Sequence, residues 1–121
     1  MIRILLADDH AVMRRGLRLV LEEQPDFQVV GEAGDGRQAV ALAEEHHPDV
    51  AVLDITMPNL NGIEAARQIT THQLAAGVVI LSMHSDEGYV LRALKAGARG
   101  YLLKESPDSD FIRAIRAVHA G

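Results

Sequence analysis

Five short apolar runs recur along the chain, and each is followed by a segment whose apolar residues are spaced as on one face of a helix. Within the runs the apolar residues are mostly consecutive rather than alternating, which is typical of strands covered by helices on both faces. The predicted strands are 2–7, 27–31, the run through Val50, Val52 and Leu53 that ends at Asp54, 78–82 and 100–104. The pattern therefore predicts that strands and helices alternate throughout.

The first helix shows the helical spacing most clearly. Between residues 11 and 24, apolar side chains recur at i, i+4, i+7 and i+8, at positions Met13, Leu17, Val20 and Leu21. Gly16 interrupts this helix at a cost of about 1 kcal/mol relative to alanine, so we expect close packing to require it. This helix is expected to bury one face against the sheet.

The starts of the last two helices carry their own sequence signals. Ser85 or Asp86 can cap the fourth helix, because their side-chain oxygens accept hydrogen bonds from free backbone N–H groups. The fifth helix is predicted to start at Ser106, with Pro107 in the first helical position, where its missing N–H costs nothing.

Strictly alternating strands and helices imply right-handed crossovers and a parallel sheet between two helix layers. We therefore predict an α/β fold of three layers, a flavodoxin-like (βα)5 domain with strand order 2-1-3-4-5. In this order the first and third strands are neighbours. Side chains at their carboxyl ends face one crevice, where ligands bind in open sheets of this kind.

Four of the five predicted strands end in polar or charged residues at this rim. Asp8 and Asp9 follow the first strand, and Asp54 ends the third. Ser82 and Lys104 end the fourth and fifth. Two carboxylates about 4 Å apart repel by roughly 4 kcal/mol at an effective dielectric of about 20, so either one stays protonated or a cation sits among them. An all-oxygen ligand set with room for waters and phosphate oxygens favours Mg²⁺.

These residues could together accept a phosphoryl group. Carboxylates form aspartyl phosphates, and phosphoryl transfer chiefly requires positioning and charge neutralisation, which Mg²⁺, Lys104 and the Ser82 hydroxyl could supply. We therefore predict that Asp54 is the acceptor. Simpler interpretations stay open for each residue: the acids could cap helices or close turns, Ser82 could be a turn residue, and Lys104 a solvated surface charge.

Composition narrows the classes of protein further. The chain has 121 residues and no cysteine, so one domain without disulfides or thiolate metal sites is expected. Its net charge of −5 argues against nucleic-acid binding by this chain alone. No apolar run approaches the roughly 20 residues of a membrane span, and no signal peptide is apparent, so a cytoplasmic protein without membrane contact is expected. The six histidines share no metal-ligand spacing and are expected to be surface or loop residues.

Over its whole length the sequence resembles the receiver domain of two-component response regulators. The motifs are residues 5–10, 49–58, Gly62, Ser82 and 100–104. Residues 81–85 and 94–105 further resemble the LuxR-type (NarL/FixJ) subfamily of transcription regulators, where a helix-turn-helix DNA-binding domain follows the receiver. The resemblance implies a CheY-like receiver fold over 1–121. It implies DNA contact only through an output domain that is not expected in this chain.

The resemblance also implies roles for individual residues. Asp54 would accept a phosphoryl group from a phosphohistidine on a sensor histidine kinase. Asp8, Asp9 and Asp54 would hold Mg²⁺, with the backbone carbonyl of Thr56 as a further ligand. The chain would then be a signalling switch that supports its own phosphorylation and autodephosphorylation, rather than an enzyme.

A second implication of the resemblance concerns the switch. Ser82 and Lys104 would contact the phosphoryl oxygens, and Tyr101 would turn inward when Ser82 moves. The face formed by the fourth helix, fifth strand and fifth helix would carry the signal. Phosphorylation could also produce a homodimer.

Three alternatives remain at this point. A phosphatase of the haloacid dehalogenase type needs a second acid two residues after its nucleophile, and here Thr56 stands at that place. A flavin-binding module of the same fold would use aromatic residues for stacking, but the chain has two Phe, two Tyr and no Trp. A purely structural domain would leave the clustered acids unexplained.

Overall fold

The computed structural model describes residues 1–83 and 87–121, so the predicted caps Ser85 and Asp86 lie outside the described residues. Five parallel strands form one sheet in the order β2-β1-β3-β4-β5, which confirms the predicted topology. The strands are β1 Ile2–Ala7, β2 Phe27–Ala33, β3 Val50–Asp54, β4 Gly77–Ser82 and β5 Gly100–Leu103. The helices are α1 Ala11–Glu22, α2 Gly36–His46, α3 Gly62–Thr71, α4 Glu87–Lys95 and α5 Asp108–Ala120.

Helices cover both faces of the sheet, as the consecutive apolar runs predicted. Alternate residues of β3 point to opposite sides, so Ala51 and Leu53 pack with α2, α3 and α4. Val50 and Val52 pack with α1 and α5. Every residue of β3 is buried. The central strand thus carries Asp54 at its end into a largely desolvated place.

The parallel register brings the polar strand ends to one level. Ala7 pairs with Leu53, so Asp8 and Asp54 follow on neighbouring strands. On the other side Ser82 pairs with Leu103, and the backbone N–H of Lys104 donates to the carbonyl of Ser82 at 2.8 Å. The strand order and this register together gather the four polar ends at one rim.

Two helix starts differ from simpler expectations. The N-cap of α1 is His10, so neither Asp8 nor Asp9 is the N-cap of this helix. Pro107 is the N-cap of α5 instead of its first helical residue, because its ψ of 153° is extended. The prediction for Pro107 was therefore wrong by one position, although α5 starts in the expected region.

Gly16 does not pack closely, contrary to expectation. A Cβ added at Gly16 would meet no atom of the described residues within 4 Å, and the residue is exposed on α1. Because glycine loses more backbone entropy than alanine on helix formation, we expect Gly16→Ala to raise the free energy of unfolding by about 1 kcal/mol.

Chemical denaturation measures this effect of Gly16→Ala. The matched control is Gly62→Ala, since a Cβ at Gly62 would lie 2.1 Å from the carbonyl oxygen of Asp54 and must destabilise the fold. An alanine at position 16 that lowers the free energy of unfolding would contradict the prediction.

Candidate functional site

Lys104 lies between the two acids that end the neighbouring strands β1 and β3. Its Nζ is 3.0 Å from Oδ2 of Asp8 and 3.1 Å from Oδ2 of Asp54. The side chains of Lys104 and Asp8 are only 4% and 0% exposed. The interpretation of Lys104 as a solvated surface charge is thereby excluded, because the ammonium is buried in an ion pair with both carboxylates.

The charges at this site perturb one another. Burial raises the pKa of the Asp54 carboxyl to about 6, and repulsion from Asp8 adds to the rise, while Lys104 and the Thr56 N–H oppose it. Burial alone would lower the pKa of Lys104, but hydrogen bonds to Asp8 and Asp54 and their attraction outweigh it and raise the pKa. Two buried carboxyl groups therefore share one ammonium.

The remaining acid lies at the edge of the buried pair. Asp9 is exposed, and together with Asp8, His10 and Asp54 it offers ligand atoms that all lie within 4.8 Å of one another. Apart from the Lys104 ammonium, Oδ2 of Asp8 and Oδ2 of Asp54 have no hydrogen-bond partner among the described residues. Three grouped carboxylates, two of which share one ammonium, fit a hard divalent cation such as Mg²⁺.

His10 belongs to this cluster, although sequence spacing gave no reason to include it. Its Nδ1 is 3.2 Å from Oδ1 of Asp9 and 3.4 Å from Oδ1 of Asp8, and its side chain is 67% exposed. The one feature of the sequence that could have indicated His10 is its place directly after Asp8 and Asp9. Four other histidines are not in this cluster, and His84 lies outside the described residues.

The other predicted site residues lie nearby in the fold. Ser82 is buried at the end of β4, and Tyr101 is half-buried in β5, packed against the core on the side of α2, α3 and α4. Thr56 is exposed just after β3, and its N–H donates to Oδ1 of Asp54 at 3.4 Å. The roles assigned to Ser82, Tyr101 and the Thr56 carbonyl stay predictions.

Two hydrogen bonds restrain the loop that carries Thr56: one joins its ends and the other anchors its middle. The Gly62 N–H donates to the carbonyl of Ile55 at 2.9 Å, and only a glycine fits there against the Asp54 carbonyl. Asn59 donates from Nδ2 to Oδ2 of Asp35 at 2.9 Å, which ties the loop to the start of α2. The backbone around Asp54 is therefore preorganised.

Two openings in the surface lie beside the site. A largely apolar groove of about 770 Å³ between α1 and α5 includes Lys104, Met83 and His10 in its lining. A second, smaller pocket of about 290 Å³ is lined in part by Thr56, Tyr89 and the exposed Arg92. The rim can thus be approached from either side.

The sequence is similar to known proteins over almost its whole length. The chain matches the response regulator receiver domain over residues 4–116. The transcriptional regulatory protein DegU of Brevibacillus brevis is 43% identical over 120 residues, which cover 99% of this chain and 51% of DegU. The chain therefore spans about half the length of that relative.

Solved structures show the same architecture. The signal receiver domain of the putative response regulator NarL from Mycobacterium tuberculosis has a TM-score of 0.95 at 35% identity, covering 99% of this chain and 97% of that one. The CheX–CheY–BeF3–Mg²⁺ complex from Borrelia burgdorferi gives 0.87 at 25% identity, covering 96% and 87%. Among the described residues, every helix is too short or too polar to span a membrane.

Proposed function

Since this chain belongs to the response regulator receiver domain family, in its NarL/LuxR branch, we propose that it is a phosphorylation switch whose acceptor is Asp54. The observation that carries the proposal is the buried Lys104 ammonium between Asp8 and Asp54. This ammonium places a positive charge beside the Asp54 carboxylate at the end of the central strand. Such an arrangement suits a step in which negative charge moves onto Asp54.

The acceptor carboxylate is prepared for this step by its surroundings. Burial strips water from Asp54 and raises its pKa to about 6, so its oxygens are more basic than those of a solvated aspartate while still ionised at neutral pH. The Thr56 N–H orients one carboxylate oxygen and Lys104 the other. A fixed, desolvated carboxylate of this kind is a competent nucleophile toward phosphorus.

Asp8, Asp9 and Asp54, with the backbone carbonyl of Thr56, would hold Mg²⁺. The support is the 4.8 Å grouping of the acids and the two Oδ2 atoms of Asp8 and Asp54, whose one partner among the described residues is the Lys104 ammonium that they share, together with the Mg²⁺ and BeF3 named for the CheY complex. When bound, the ion would neutralise charge on the acids and on phosphoryl oxygens. Its ligands on this chain are positioned by β1 and β3, which pair directly.

In the proposed transfer, an oxygen of Asp54 bonds to phosphorus as the phosphorus–nitrogen bond of a kinase phosphohistidine breaks. The electron pair of that bond returns to the imidazole, which then takes up a proton. Lys104 and the Ser82 hydroxyl donate hydrogen bonds to the phosphoryl oxygens. Attack of water on the same phosphorus releases phosphate and restores Asp54, so the switch turns itself off.

The signal would leave through the face formed by α4, β5 and α5. Ser82 ends β4. Tyr101 lies in the adjacent strand β5, where it pairs with Ile80 of β4. A movement of Ser82 toward the phosphoryl group would free space for Tyr101 to turn inward. Moving such a switch from 1:99 to 99:1 takes about 5.5 kcal/mol of differential binding, which several charge-assisted hydrogen bonds could supply. Homodimerisation and control of transcription through a separate DNA-binding domain are the outputs we propose.

Acetyl phosphate with Mg²⁺ tests the proposed chemistry without a kinase. We expect the intact mass to increase by one phosphoryl group, and peptide mapping after borohydride reduction to locate it at Asp54. EDTA is the control. It removes Mg²⁺, so the charge on the acids and on the phosphoryl oxygens is no longer neutralised by the ion, and uptake should fall. Equal uptake in EDTA, or label at another residue, would contradict the proposal.

A further inference from the structure

Arg14 on α1 contacts the backbone that joins the two acids after β1. Its Nη1 donates to the carbonyl oxygen of Asp8 at 2.7 Å, and its Nε donates to Oε1 of Glu32 on β2 at 3.2 Å. The Arg14 side chain is only 23% exposed. A hydrogen bond from a partly buried guanidinium to a carbonyl is charge-assisted and geometrically restrictive.

The contacts fix the peptide groups on both sides of Asp8. The Asp8 N–H donates to the carbonyl of Ala33 at 3.0 Å, so β2 holds the preceding peptide group. Arg14 holds the following one through the Asp8 carbonyl. Because a peptide group is planar, the same contact orients the N–H of Asp9 and the direction in which the chain enters Asp9. Asp9 itself is exposed, and its Oδ1 lies 3.2 Å from Nδ1 of the exposed His10.

We propose that Arg14 is a positioning residue for divalent-cation binding, holding the Asp8–Asp9 peptide so that both carboxylates face the ion. This inference rests on the proposed metal site. Arg14 touches no reacting group itself and acts only through the backbone of Asp8. Groups that orient metal ligands in this way typically contribute about 10- to 100-fold to metal affinity.

The alternative is that Arg14 merely joins α1 to β2 through Glu32. Arg18, one turn further along α1, provides the matched comparison. It also forms ion pairs with Glu32 and with Glu22, and within the described residues none of its ion pairs or side-chain hydrogen bonds reaches the acid site. Replacing Arg18 therefore removes a positive charge and a Glu32 partner while leaving the Asp8 carbonyl bonded to Arg14.

The sign of the effect separates positioning from simple electrostatics. A guanidinium beside three acids repels an incoming cation, so removing its charge should tighten Mg²⁺ binding if charge were its whole contribution. Removing a positioning contact should weaken binding instead. The two accounts thus predict opposite changes for Arg14→Met.

The experiment is calorimetric titration of the folded chain with MgCl₂. We expect Arg14→Met to weaken Mg²⁺ binding about 10-fold, and Arg18→Met to leave it unchanged or slightly tighter. Arg14→Lys should recover part of the affinity, because one ammonium can reach the Asp8 carbonyl without also spanning to Glu32. In metal-free protein, the ¹⁵N relaxation of the Asp9 amide should show greater mobility in Arg14→Met than in Arg18→Met.

The outcomes are distinguishable. Binding by Arg14→Met as tight as that of the wild type, or equal weakening by Arg18→Met, overturns the positioning role. A wild-type chain that binds no Mg²⁺ overturns the proposed metal site instead. Should Arg14→Met not fold, Arg14→Lys decides through the Asp9 amide, since a more mobile Asp9 amide in that variant with Mg²⁺ affinity equal to that of the wild type would also overturn the inference.

Discussion

Asp54→Asn is expected to abolish phosphoryl uptake and, in metal-free protein near about pH 7.5, to raise the free energy of unfolding by about 3 kcal/mol. The loss of uptake follows because the amide has no anionic oxygen to bond to phosphorus. The gain in stability follows because the folded state disfavours the ionised form of Asp54. Burial and Asp8 raise its pKa from 3.8 to about 6.

The stability gained by Asp54→Asn should depend on pH in a definite direction. Between pH values of about 4 and 6, the folded state binds more protons at Asp54 than the unfolded state does, so wild-type stability falls as pH rises through this range. Asparagine cannot ionise and escapes that loss. The two proteins should therefore be similarly stable below about pH 4 and differ fully above about pH 7.

Urea denaturation in EDTA across this pH range measures the difference. Glu44→Gln, which neutralises an exposed acid on α2, is the matched control and should change stability little at any pH. A stability difference between Asp54→Asn and wild type that does not vary with pH would contradict the electrostatic account. Retained phosphoryl uptake in Asp54→Asn would contradict its assignment as acceptor.

Replacement of Lys104 should have the opposite effect on stability. We expect Lys104→Met to lower the free energy of unfolding by about 3–5 kcal/mol near neutral pH in metal-free protein, because it leaves Asp8 and Asp54 buried without a counter-ion. It should also raise the pKa of Asp54 further, since Lys104 now lowers it. The destabilisation should accordingly diminish as the pH falls and Asp54 becomes protonated. Phosphoryl uptake should drop strongly as well.

The control for Lys104 is the other lysine of the chain. Lys95→Met removes an exposed charge from the last turn of α4 and should cost at most about 1 kcal/mol. In the Asp54→Asn background, Lys104→Met should cost less than in the wild type, because only Asp8 is then left unpaired. Additive effects of the two substitutions would contradict the coupling described for this ion pair.

Much of the fold was predictable from the sequence because the signals were local. Consecutive apolar residues marked strands that are buried on both faces, and β3 is indeed buried throughout. Alternation of strands and helices then restricted the topology to few choices, which the sheet order confirms. The helix starts were less certain, since Pro107 fits both a cap and a first helical residue, and only its ψ decides.

The site was predictable in membership more than in geometry. Parallel pairing brings strand ends together whatever their side chains do, so Asp8, Asp54 and Lys104 had to meet at one rim. Their degree of burial could not be known from spacing. The same limit applies to His10, whose place in the acid cluster depends on how the chain turns into α1.

The sequence by itself determined the order of elements, the central strand and the acids that end it. Hydrophobic periodicity and the alternation of strands with helices are properties of the linear chain. Only the tertiary structure decided that Lys104 is buried between two carboxylates, that no atom of residues 1–83 and 87–121 crowds Gly16, and that Arg14 reaches the Asp8 carbonyl. These are relations between side chains of different elements. They depend on packing distances, which no local pattern encodes.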